Sequence, residues 1–465
     1  MPTLELSQLV EATGGSLLRG DPGTRVSSYD IDTRRLGPGG VFFALKGART
    51  DGHRFLGEAS SRQVVAAVVE REPGVEDAAP AALIRVDDGS EALRRCGAWV
   101  RRKMTGVQRI AVTGSNGKTT TKELIAAGLS GAQPVHRTPG NFNNHLGVPL
   151  TLLACPDDAR VAVLELAMSG PGEIADLTEL TDPDVGLVTN VRAAHLANFA
   201  SLDDIAAAKG EMFALLRDDA VAVVNLDDTH VRVQAARHAG RRVTFGQHAQ
   251  ADLHLDDVKS RFVPGSELSF THAGKRRRVQ LSIGGGHSAL NALAALAAVV
   301  AAGGDVDEAA ARMEHVEPGA GRGRIHRLGR GIVLVDDSYN SSPAALASVL
   351  ETLRLSEPQG RRVMVMGDML ELGRMQDAMH REAGKRIAAA GVQLLIAVGP
   401  LSRGCVETAR RGGVGEVHHH PDSTRAAESV AEFLRDGDLV VVKGSRSMRM
   451  ERVVEALTTG GTAAN

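Results

Sequence analysis

The chain lacks several features that would assign it to a specialised class of protein. Aromatic residues make up only 3% of its 465 residues, which disfavours a nucleic-acid binder that stacks bases on aromatic rings. Its 54 lysines and arginines nearly balance 56 acidic residues, for a formal charge of −2. No overall positive field attracts nucleic acid, so we expect no nucleic-acid partner and expect anionic ligands to be held by local cations.

Cysteines and long apolar runs are also scarce. The three cysteines lie far apart without a CxxC pair, so neither a disulfide framework nor a zinc knuckle is indicated. The segment MPTLELSQLVEATGG predicts a short amphipathic helix ending at Gly14-Gly15, not an export signal. The longest apolar stretch, from Ala289 to Ala302, is too short to span a bilayer. We therefore expect a cytoplasmic protein without membrane insertion.

The length and the pattern of apolar runs predict three α/β domains, at about 150 residues per domain. From Arg109 onward, strand-like runs alternate with helical patterns, which is typical of a doubly wound parallel sheet: RIAVTG, VAVLELA, VGLVTNV and VAVVNLDD. After Asp252 the alternation predicts an antiparallel margin. A Gly- and Arg-rich linker near Pro318 then leads to a second alternating region, with IVLVDD, RRVMVMGD, LLIAVG and DLVVVKGS. The predicted domains are 1–106, 107–317 and 318–465.

The most specific local signal is the segment RIAVTGSNGKTTTKELIAAGL. An apolar strand there enters a glycine-containing turn, and a helix leaves it with Lys118 and Thr119 at its start. Unpaired N–H groups at such a helix start bind phosphate oxygens, while the lysine adds charge and the threonine hydroxyl can hold Mg²⁺. The strict phosphate-loop spacing would place a glycine at Val112, so the motif is a variant, and an ordinary strand-to-helix turn is the alternative. The candidate phosphate-binding residues are Gly114, Ser115, Asn116, Gly117, Lys118, Thr119 and Thr120.

Polar residues follow two other predicted strands of the same sheet. Glu165 ends the run VAVLE, and Thr189, Asn190 and His195 follow the run VGLV. Because the carboxyl ends of parallel strands meet at one edge of a sheet, these groups are expected beside the phosphate loop, where Mg²⁺ needs oxygen ligands. Taken singly, the glutamate is equally compatible with a capping role, and a lone histidine is more typical of a surface or capping residue.

Lys209 interrupts the apolar face of a predicted helix. The segment SLDDIAAAKGEMFALL begins with a capping serine and two acids, and Lys209 falls four residues after Ile205 in the apolar stripe. One interpretation is a side chain that extends along the surface to reach water. The other is a lysine held near an anion or chemically altered, because burial of an unpaired ammonium is costly.

Several later polar residues are individually ambiguous between ligands and turn or cap residues. His287 and Asn291 share one face of a predicted helix start, Arg322 and Arg324 lie in the linker, and Asp337 follows a strand. The histidines at 418–420 are predicted to form a solvated stretch, since neighbouring side chains on a strand point to opposite faces and cannot easily meet one metal ion.

Taken together, the motifs resemble those of the ATP-dependent Mur ligases of peptidoglycan synthesis, over about residues 25 to 455. The matching segments are GSNGKTT, GNFNNHLGVPLTLL, LELA with GEI, TNVRAAHL, AKGEMF, GGGHSALNALAA, DDSYNSSPAAL, GDMLELG and VKGSRSMRME. The resemblance implies a small N-terminal α/β domain that binds the UDP substrate, a central P-loop-type ATPase domain and a C-terminal Rossmann-like domain. DDSYN followed by GDMLELG is similar to the members that join D-alanyl-D-alanine to UDP-N-acetylmuramoyl-tripeptide.

The resemblance also implies roles for the candidate residues, with ATP and Mg²⁺ as cofactors. Lys118, Glu165, His195 and Lys209 are implied to be catalytic. Asn291, Arg322 and Asp337 join the phosphate loop in binding ATP, and Asp32, Thr33 and Arg34 bind the uridine nucleotide. The implied metal ligands are Thr119, Glu165, His195 and, once carbamylated by CO₂, Lys209. We expect a monomer.

Two other classes of protein share part of this sequence pattern. Folylpolyglutamate synthase also joins a carboxylate to an amine with ATP, but the N-terminal DTRR and DGH segments argue against it, because that enzyme lacks a uridine-binding domain there. A non-catalytic nucleotide switch would use the same phosphate loop. Guanine-binding proteins usually carry an NKxD segment, and the sequence contains none.

Overall fold

A computed structural model describes residues 3–47, 50–74, 78–192 and 198–460. The described chain contains three mostly parallel sheets with helices packed on them, in the order that the sequence pattern predicts. The α/β fold class is therefore confirmed.

The first sheet has five strands in the order β2-β7-β6-β5-β4, parallel except for β2, and a two-stranded ribbon pairs β1 with β3. Its elements are β1 (Leu4–Glu5), α1 (Leu6–Thr13), β2 (Ser16–Arg19), β3 (Arg25–Val26), β4 (Ser28–Asp30), β5 (Gly40–Phe43), α2 (Leu56–Ser61), β6 (Ala66–Val69), β7 (Ala82–Arg85) and α3 (Gly89–Lys103). The predicted N-terminal helix is confirmed, and it ends at Gly14, whose φ of 68° terminates the helix in the left-handed region.

The second sheet has nine strands in the order β16-β15-β14-β13-β12-β11-β8-β10-β9. Its elements are β8 (Gln108–Thr113), α4 (Lys118–Leu129), β9 (Val135–Arg137), α5 (Gly147–Leu153), β10 (Val161–Glu165), α6 (Glu173–Thr181), β11 (Val185–Val188), α7 (Leu202–Leu215), β12 (Val221–Asn225), α8 (Thr229–Ala235), β13 (Arg242–Gly246), β14 (Leu253–Ser260), β15 (Ser266–His272), β16 (Lys275–Leu281), α9 (Gly286–Ala301) and α10 (Val306–Met313). The seven strands β8 to β14 run parallel to one another, whereas β15 pairs antiparallel with both β14 and β16, which confirms the predicted margin.

Helices cover both faces of this sheet, as the continuous apolar runs require. Ile110 and Val112 pack with α4, α9 and α10, whereas Ala111 between them packs with α5, α6 and α7 on the other face. A parallel strand buried on both sides must be apolar at every position. Polar side chains on these strands are therefore confined to the strand ends, and β8 lies centrally between β10 and β11, where the strand order reverses. Ligands of such sheets bind at this reversal, outside the carboxyl ends.

The third sheet has six strands in the order β17-β18-β22-β19-β20-β21, parallel except for β17. Its elements are β17 (Arg324–Arg327), β18 (Val333–Asp337), α11 (Pro343–Leu355), β19 (Arg362–Gly367), α12 (Gln376–Ala389), β20 (Leu394–Val398), α13 (Arg403–Arg411), β21 (Glu416–His420), α14 (Ser423–Ser429), β22 (Leu439–Lys443) and α15 (Glu451–Gly460). The prediction of a solvated histidine stretch at 418–420 was wrong. These residues form the half-buried edge strand β21, where the His418 ring stacks on Phe433 at 3.9 Å and His419 bonds to the Gly399 carbonyl.

No helix among residues 3–47, 50–74, 78–192 and 198–460 is long and apolar enough to cross a membrane.

Asp438 tests how much a buried carboxylate stabilises the third sheet. Its fully buried carboxylate accepts hydrogen bonds from the Arg361 guanidinium at 2.9 Å and from the Arg435 backbone N–H at 2.8 Å. We expect Asp438→Ala to lower the free energy of unfolding by about 1–3 kcal/mol, because the mutation removes one of the two carboxylates that pair with the half-buried Arg361 and leaves the backbone N–H groups of Arg361 and Arg435 without their acceptor. Calorimetry should show a transition at lower temperature.

Asp436→Ala is the matched control for this prediction. Its carboxylate pairs with Arg330 at 2.6 Å, but both side chains are exposed, so the unfolding temperature should hardly change. Equal shifts in the two variants would contradict the stabilising role of the buried pair.

Candidate active site

The loop between β8 and α4 depends on two glycines with positive φ. Gly114 has φ 141° and Gly117, at the start of α4, has φ 83°. A Cβ on Gly114 would collide with the Thr189 hydroxyl, and one on Gly117 would collide with the Asn291 amide. Glycine is therefore required at both positions, since any other residue would be strained and would displace a neighbouring side chain.

The end of β11 braces this loop. The Ser115 N–H donates to the Asn190 carbonyl at 2.9 Å, and the Asn116 N–H donates to the Asn190 side-chain oxygen at 3.1 Å. The Thr189 hydroxyl donates to the Asn116 carbonyl at 2.7 Å. The predicted arrival of Thr189 and Asn190 at the loop is confirmed, and their contacts are to the loop backbone.

Lys118 curls over the loop that precedes it. Its ammonium donates to the carbonyls of Gly114 at 2.9 Å and Ser115 at 3.3 Å. Burial lowers its pKa below the ordinary value, the negative charge of Glu165 opposes this shift, and the positive charge of Arg322 adds to it. The ammonium is thus held at the loop by carbonyl dipoles, beside both an acid and a second cation.

Glu165 ends β10 within reach of the start of α4. Its Oε1 accepts hydrogen bonds from the Thr119 hydroxyl at 3.1 Å and the Asn143 amide at 2.8 Å. Its Oε2 is buried and, in the described part of the chain, accepts no hydrogen bond. A buried carboxylate oxygen without a donor beside a threonine hydroxyl is a hard oxygen donor set, which is what Mg²⁺ prefers. The residues present therefore fit a magnesium ion.

Lys209 lies in α7, and its predicted place in the apolar stripe is confirmed. Its side chain is only 3% exposed, on the face that also buries Ile205, Met212 and Phe213. Its pKa lies well below the ordinary value, first because of burial and second because of the charge of Lys118. Within the described ranges its ammonium makes no hydrogen bond or ion pair, and it is not among the residues that line the main cavity. The surface-reaching interpretation is wrong.

The phosphate loop faces residues of the third sheet across a cavity of about 680 Å³. Asn291, Arg322 and Asp337, which the sequence analysis singled out, line this cavity together with Lys118 and Glu165. The structure thus brings these five predicted residues to one space, together with the predicted loop residues Ser115, Asn116, Gly117, Thr119 and Thr120.

Contacts within the third sheet orient the far wall of the cavity. The Arg322 guanidinium lies 3.9 Å from the centroid of the Tyr339 ring, and the Asp337 carboxylate pairs with Lys443 at 2.6 Å. His287 also lines the cavity and bonds to the Ser348 hydroxyl at 2.8 Å. Burial lowers the pKa of His287, the charge of Asp337 raises it, and the Lys443 charge lowers it.

The remaining predicted residues lie elsewhere or outside the described ranges. His195 falls in the segment 193–197, outside the described residues. Asp32, Thr33 and Arg34 form a turn after β4 and do not line the cavity. A hydrogen bond from Arg34 is the main cause that lowers the pKa of Asp32 to about 2. Arg324 begins β17 and is exposed.

Comparison with known proteins supplies the decisive observation. Three family models match the chain in succession: "Mur ligase family, catalytic domain" at residues 25–98, "Mur ligase middle domain" at 112–299 and "Mur ligase, glutamate ligase domain" at 321–446. A UDP-N-acetylmuramoyl-tripeptide–D-alanyl-D-alanine ligase of Escherichia coli is 35% identical, over 99% of this chain and 100% of the relative. The chain belongs to the Mur ligase family.

Other relatives of this Mur ligase agree with that assignment. The enzyme of the same description from Bacillus subtilis is 34% identical over 93% of each chain. Among solved structures, MurF from Acinetobacter baumannii has a TM-score of 0.88 at 28% identity, covering 99% of both chains. MurF from Thermotoga maritima, solved in complex with ADP, has a TM-score of 0.82 at 29% identity, covering 95% of this chain and 99% of that one.

Sequence reasoning missed several residues of this Mur ligase site. They lie in the cavity wall or contact Glu165: Lys122, Asn143, Tyr339, Lys443 and Arg446. Lys443 ends β22 as Glu165 ends β10, so the strand-end argument would have found it. Lys122 follows Lys118 by one helical turn, and nothing in the pattern KTTTKE indicates that it is buried.

Gly117→Ala tests whether the loop geometry is needed for nucleotide binding. We expect the affinity for ATP to fall by about 5- to 150-fold, because the left-handed backbone and the collision with Asn291 together cost about 1–3 kcal/mol. Calorimetric titration with ATP measures this. Gly106→Ala is the matched control, since Gly106 has a similar φ of 76° with open space around it. Unchanged affinity in Gly117→Ala would contradict the assigned role of the loop.

Proposed function

We propose that this Mur ligase joins D-alanyl-D-alanine to the terminal carboxylate of UDP-N-acetylmuramoyl-tripeptide with ATP, in the cytoplasm, as a monomer. The observation that carries the proposal is the single cavity shared by the phosphate loop, Glu165 and Asp337. The names of the relatives support the two substrates, since they match over nearly the full length of the chain. We assign the UDP substrate to residues 1–106, ATP to 107–317 and closure over the nucleotide to 318–465.

The phosphate loop and its lysine suit a reaction that must first activate a carboxylate. A carboxylate at neutral pH resists attack by an amine. Transfer of the γ-phosphoryl group of ATP to the peptide carboxylate releases ADP and forms an acyl phosphate, which the dipeptide amine attacks to form the amide, releasing phosphate and a proton. Lys118 and the loop N–H groups hold the phosphates through this transfer, which depends on positioning and on electrostatic stabilisation.

Mg²⁺ neutralises phosphate charge in this chemistry when it is bound. Thr119 and Glu165 are the residues that would hold it, with His195 and a carbamylated Lys209 as the further ligands that we assign to this edge. The orphaned Oε2 of Glu165 supports this assignment, because a buried oxygen without a donor is costly unless another partner satisfies it.

Lys209 is suited to carbamylation by its environment. Burial beside Lys118 lowers its pKa, so the neutral amine that reacts with CO₂ is available at lower pH than in an ordinary lysine. Addition of CO₂ to the amine forms a carbamate and releases a proton. The carbamate is an anion, so it is attracted to the Lys118 ammonium.

We assign the nucleoside of ATP to a space next to the phosphate loop. A second cavity of about 650 Å³ adjoins the start of α4 and shares Thr119, Arg322 and Tyr339 with the first. Its walls are mainly apolar and are supplied by Ala126, Ala127, Val135, Ile283, Val316 and Pro318. We assign Asn291, Arg322 and Asp337 to the nucleotide, and Asp32, Thr33 and Arg34 to the uridine end of the other substrate.

The two-substrate dependence of phosphate release tests the proposal. With ATP and Mg²⁺, phosphate should appear only when UDP-N-acetylmuramoyl-tripeptide and D-alanyl-D-alanine are both present, because the acyl phosphate is consumed only by the amine. Mass spectrometry should detect the joined product, and L-alanyl-L-alanine is the matched control substrate. Phosphate release that ignores both substrates would favour a nucleotide switch instead.

Lys209→Ala tests the proposed carbamate. Ligation should be nearly abolished while the chain stays folded, because within the described ranges the Lys209 side chain makes no hydrogen bond or ion pair that the mutation would remove. Circular dichroism and the unfolding temperature check that the fold is retained. In the wild-type protein, ¹³C-labelled bicarbonate should give a carbamate NMR signal that is absent from the variant. Most of the activity surviving in Lys209→Ala would contradict the role.

A further inference from the structure

Lys122 is a fully buried lysine that no step described so far uses. It lies in α4 one turn after Lys118, and its exposed fraction is 0%. A buried ammonium is stable only when every proton has an acceptor and its charge has a partner, because water no longer solvates it. The acceptors and charge partners of the Lys122 ammonium therefore indicate its role.

The ammonium of Lys122 connects three parts of the second sheet's edge. It donates to the backbone carbonyls of Thr138 at 2.7 Å and Gly140 at 3.3 Å, which precede α5. It pairs with the Glu123 carboxylate at 3.0 Å on its own helix and lies 3.7 Å from the Oε2 of Glu165.

The segment that Lys122 holds also contacts Glu165 directly. The Thr138 hydroxyl accepts the Glu165 backbone N–H at 2.9 Å, and the Asn143 amide donates to Glu165 Oε1 at 2.8 Å. Residues 138–143 thus grip Glu165 at its backbone and at one carboxylate oxygen. Lys122 fixes this segment to α4, the helix that carries Lys118 and Thr119.

The distances distinguish a charge partner from a hydrogen-bond donor. At 3.7 Å, the Lys122 nitrogen is too far from Glu165 Oε2 for a normal hydrogen bond, and three other oxygens lie closer to it, at 2.7, 3.0 and 3.3 Å. The positive charge compensates the buried carboxylate, while the lone pairs of Oε2 are left for another ligand. This explains how a buried oxygen without a donor is tolerated.

We propose that Lys122 is a positioning residue that holds Glu165 and residues 138–143 against α4, so that Glu165 Oε2 faces a divalent cation brought with the nucleotide. The inference rests on the magnesium site of the proposed function and goes beyond it by naming what sets the orientation of the ligand. Residues that orient a metal ligand without touching the metal typically change its affinity by about 10–100-fold when replaced.

The experiment titrates ADP into the protein by calorimetry at graded Mg²⁺ concentrations. Lys122→Met should raise the Mg²⁺ concentration needed for half-maximal enhancement of ADP binding by at least about tenfold, while ADP affinity without Mg²⁺ stays within about twofold. Lys122→Arg, which keeps the charge and the donors, should recover most of the Mg²⁺ response. The direction of the shift in Mg²⁺ requirement separates this role from simple charge repulsion, because loss of a positive charge near Glu165 would by itself strengthen Mg²⁺ binding.

Glu123→Gln is the matched control variant. It removes the other carboxylate that pairs with Lys122 but leaves the contacts to Thr138, Gly140 and Glu165 in place. Because Glu123 also pairs with Arg137 at 2.6 Å and lines the second cavity, its loss can lower ADP affinity itself, but the Mg²⁺ concentration for half-maximal enhancement should not change. Where Lys122→Met does not fold, the double variant Lys122→Met/Glu123→Gln, which leaves the net charge unchanged, supplies the same measurement with Glu123→Gln as its reference.

Four results would overturn the inference: an unchanged Mg²⁺ requirement in Lys122→Met, a lower requirement, an equal shift in Glu123→Gln, or wild-type ADP binding that ignores Mg²⁺. The two proposals can fail separately. If Lys122→Met shifts the Mg²⁺ requirement but the wild-type protein never consumes the two peptide substrates, the proposed ligation is refuted and this inference stands.

Discussion

Mutual repulsion of anions is the constraint on which the rest of this site depends. A triphosphate and a peptide carboxylate must approach each other beside two acids of the protein, Glu165 and Asp337. Lys118, Arg322 and Lys443 face that space from different elements. Lys118 lies at the phosphate loop, Arg322 in the segment before β17 and Lys443 at the end of β22. The three cations therefore converge only because the second and third sheets share one cavity. In a chain with a net charge of −2, this convergence is local.

The parts of the fold that the sequence predicts are those with strong local patterns. The strands β8, β10, β11 and β12 were found because strands buried on both faces must be apolar throughout, and the phosphate loop because glycine, lysine and threonine coincide at a strand end. Lys209 was found because a charge in an apolar stripe is an exception that helical spacing makes visible. Phosphate-loop residues, Glu165, Asn291, Arg322 and Asp337 were then placed in one cavity as expected.

The rest depends on contacts between distant segments, which no local pattern encodes. Lys122 lies in a polar stretch of α4, and its burial comes from residues 138–143 folding over it. Asn143 reaches Glu165 through the same segment. The histidines at 418–420 contain no apolar signal, yet the pairing of β21 with β20 and the Phe433 ring bury them by half. Each of these errors comes from tertiary packing that overrides a local preference.

The contact between Gly117 and Asn291 has a consequence for biosynthesis. The phosphate loop is translated early, but one side of it is walled by an amide on α9, which emerges from the ribosome only after β16. Domains generally fold as units once their chain is complete, and contacts between distant segments form late. The loop sequence alone therefore does not make the pocket: its wall at Asn291 is present only once α9 has packed on the central sheet.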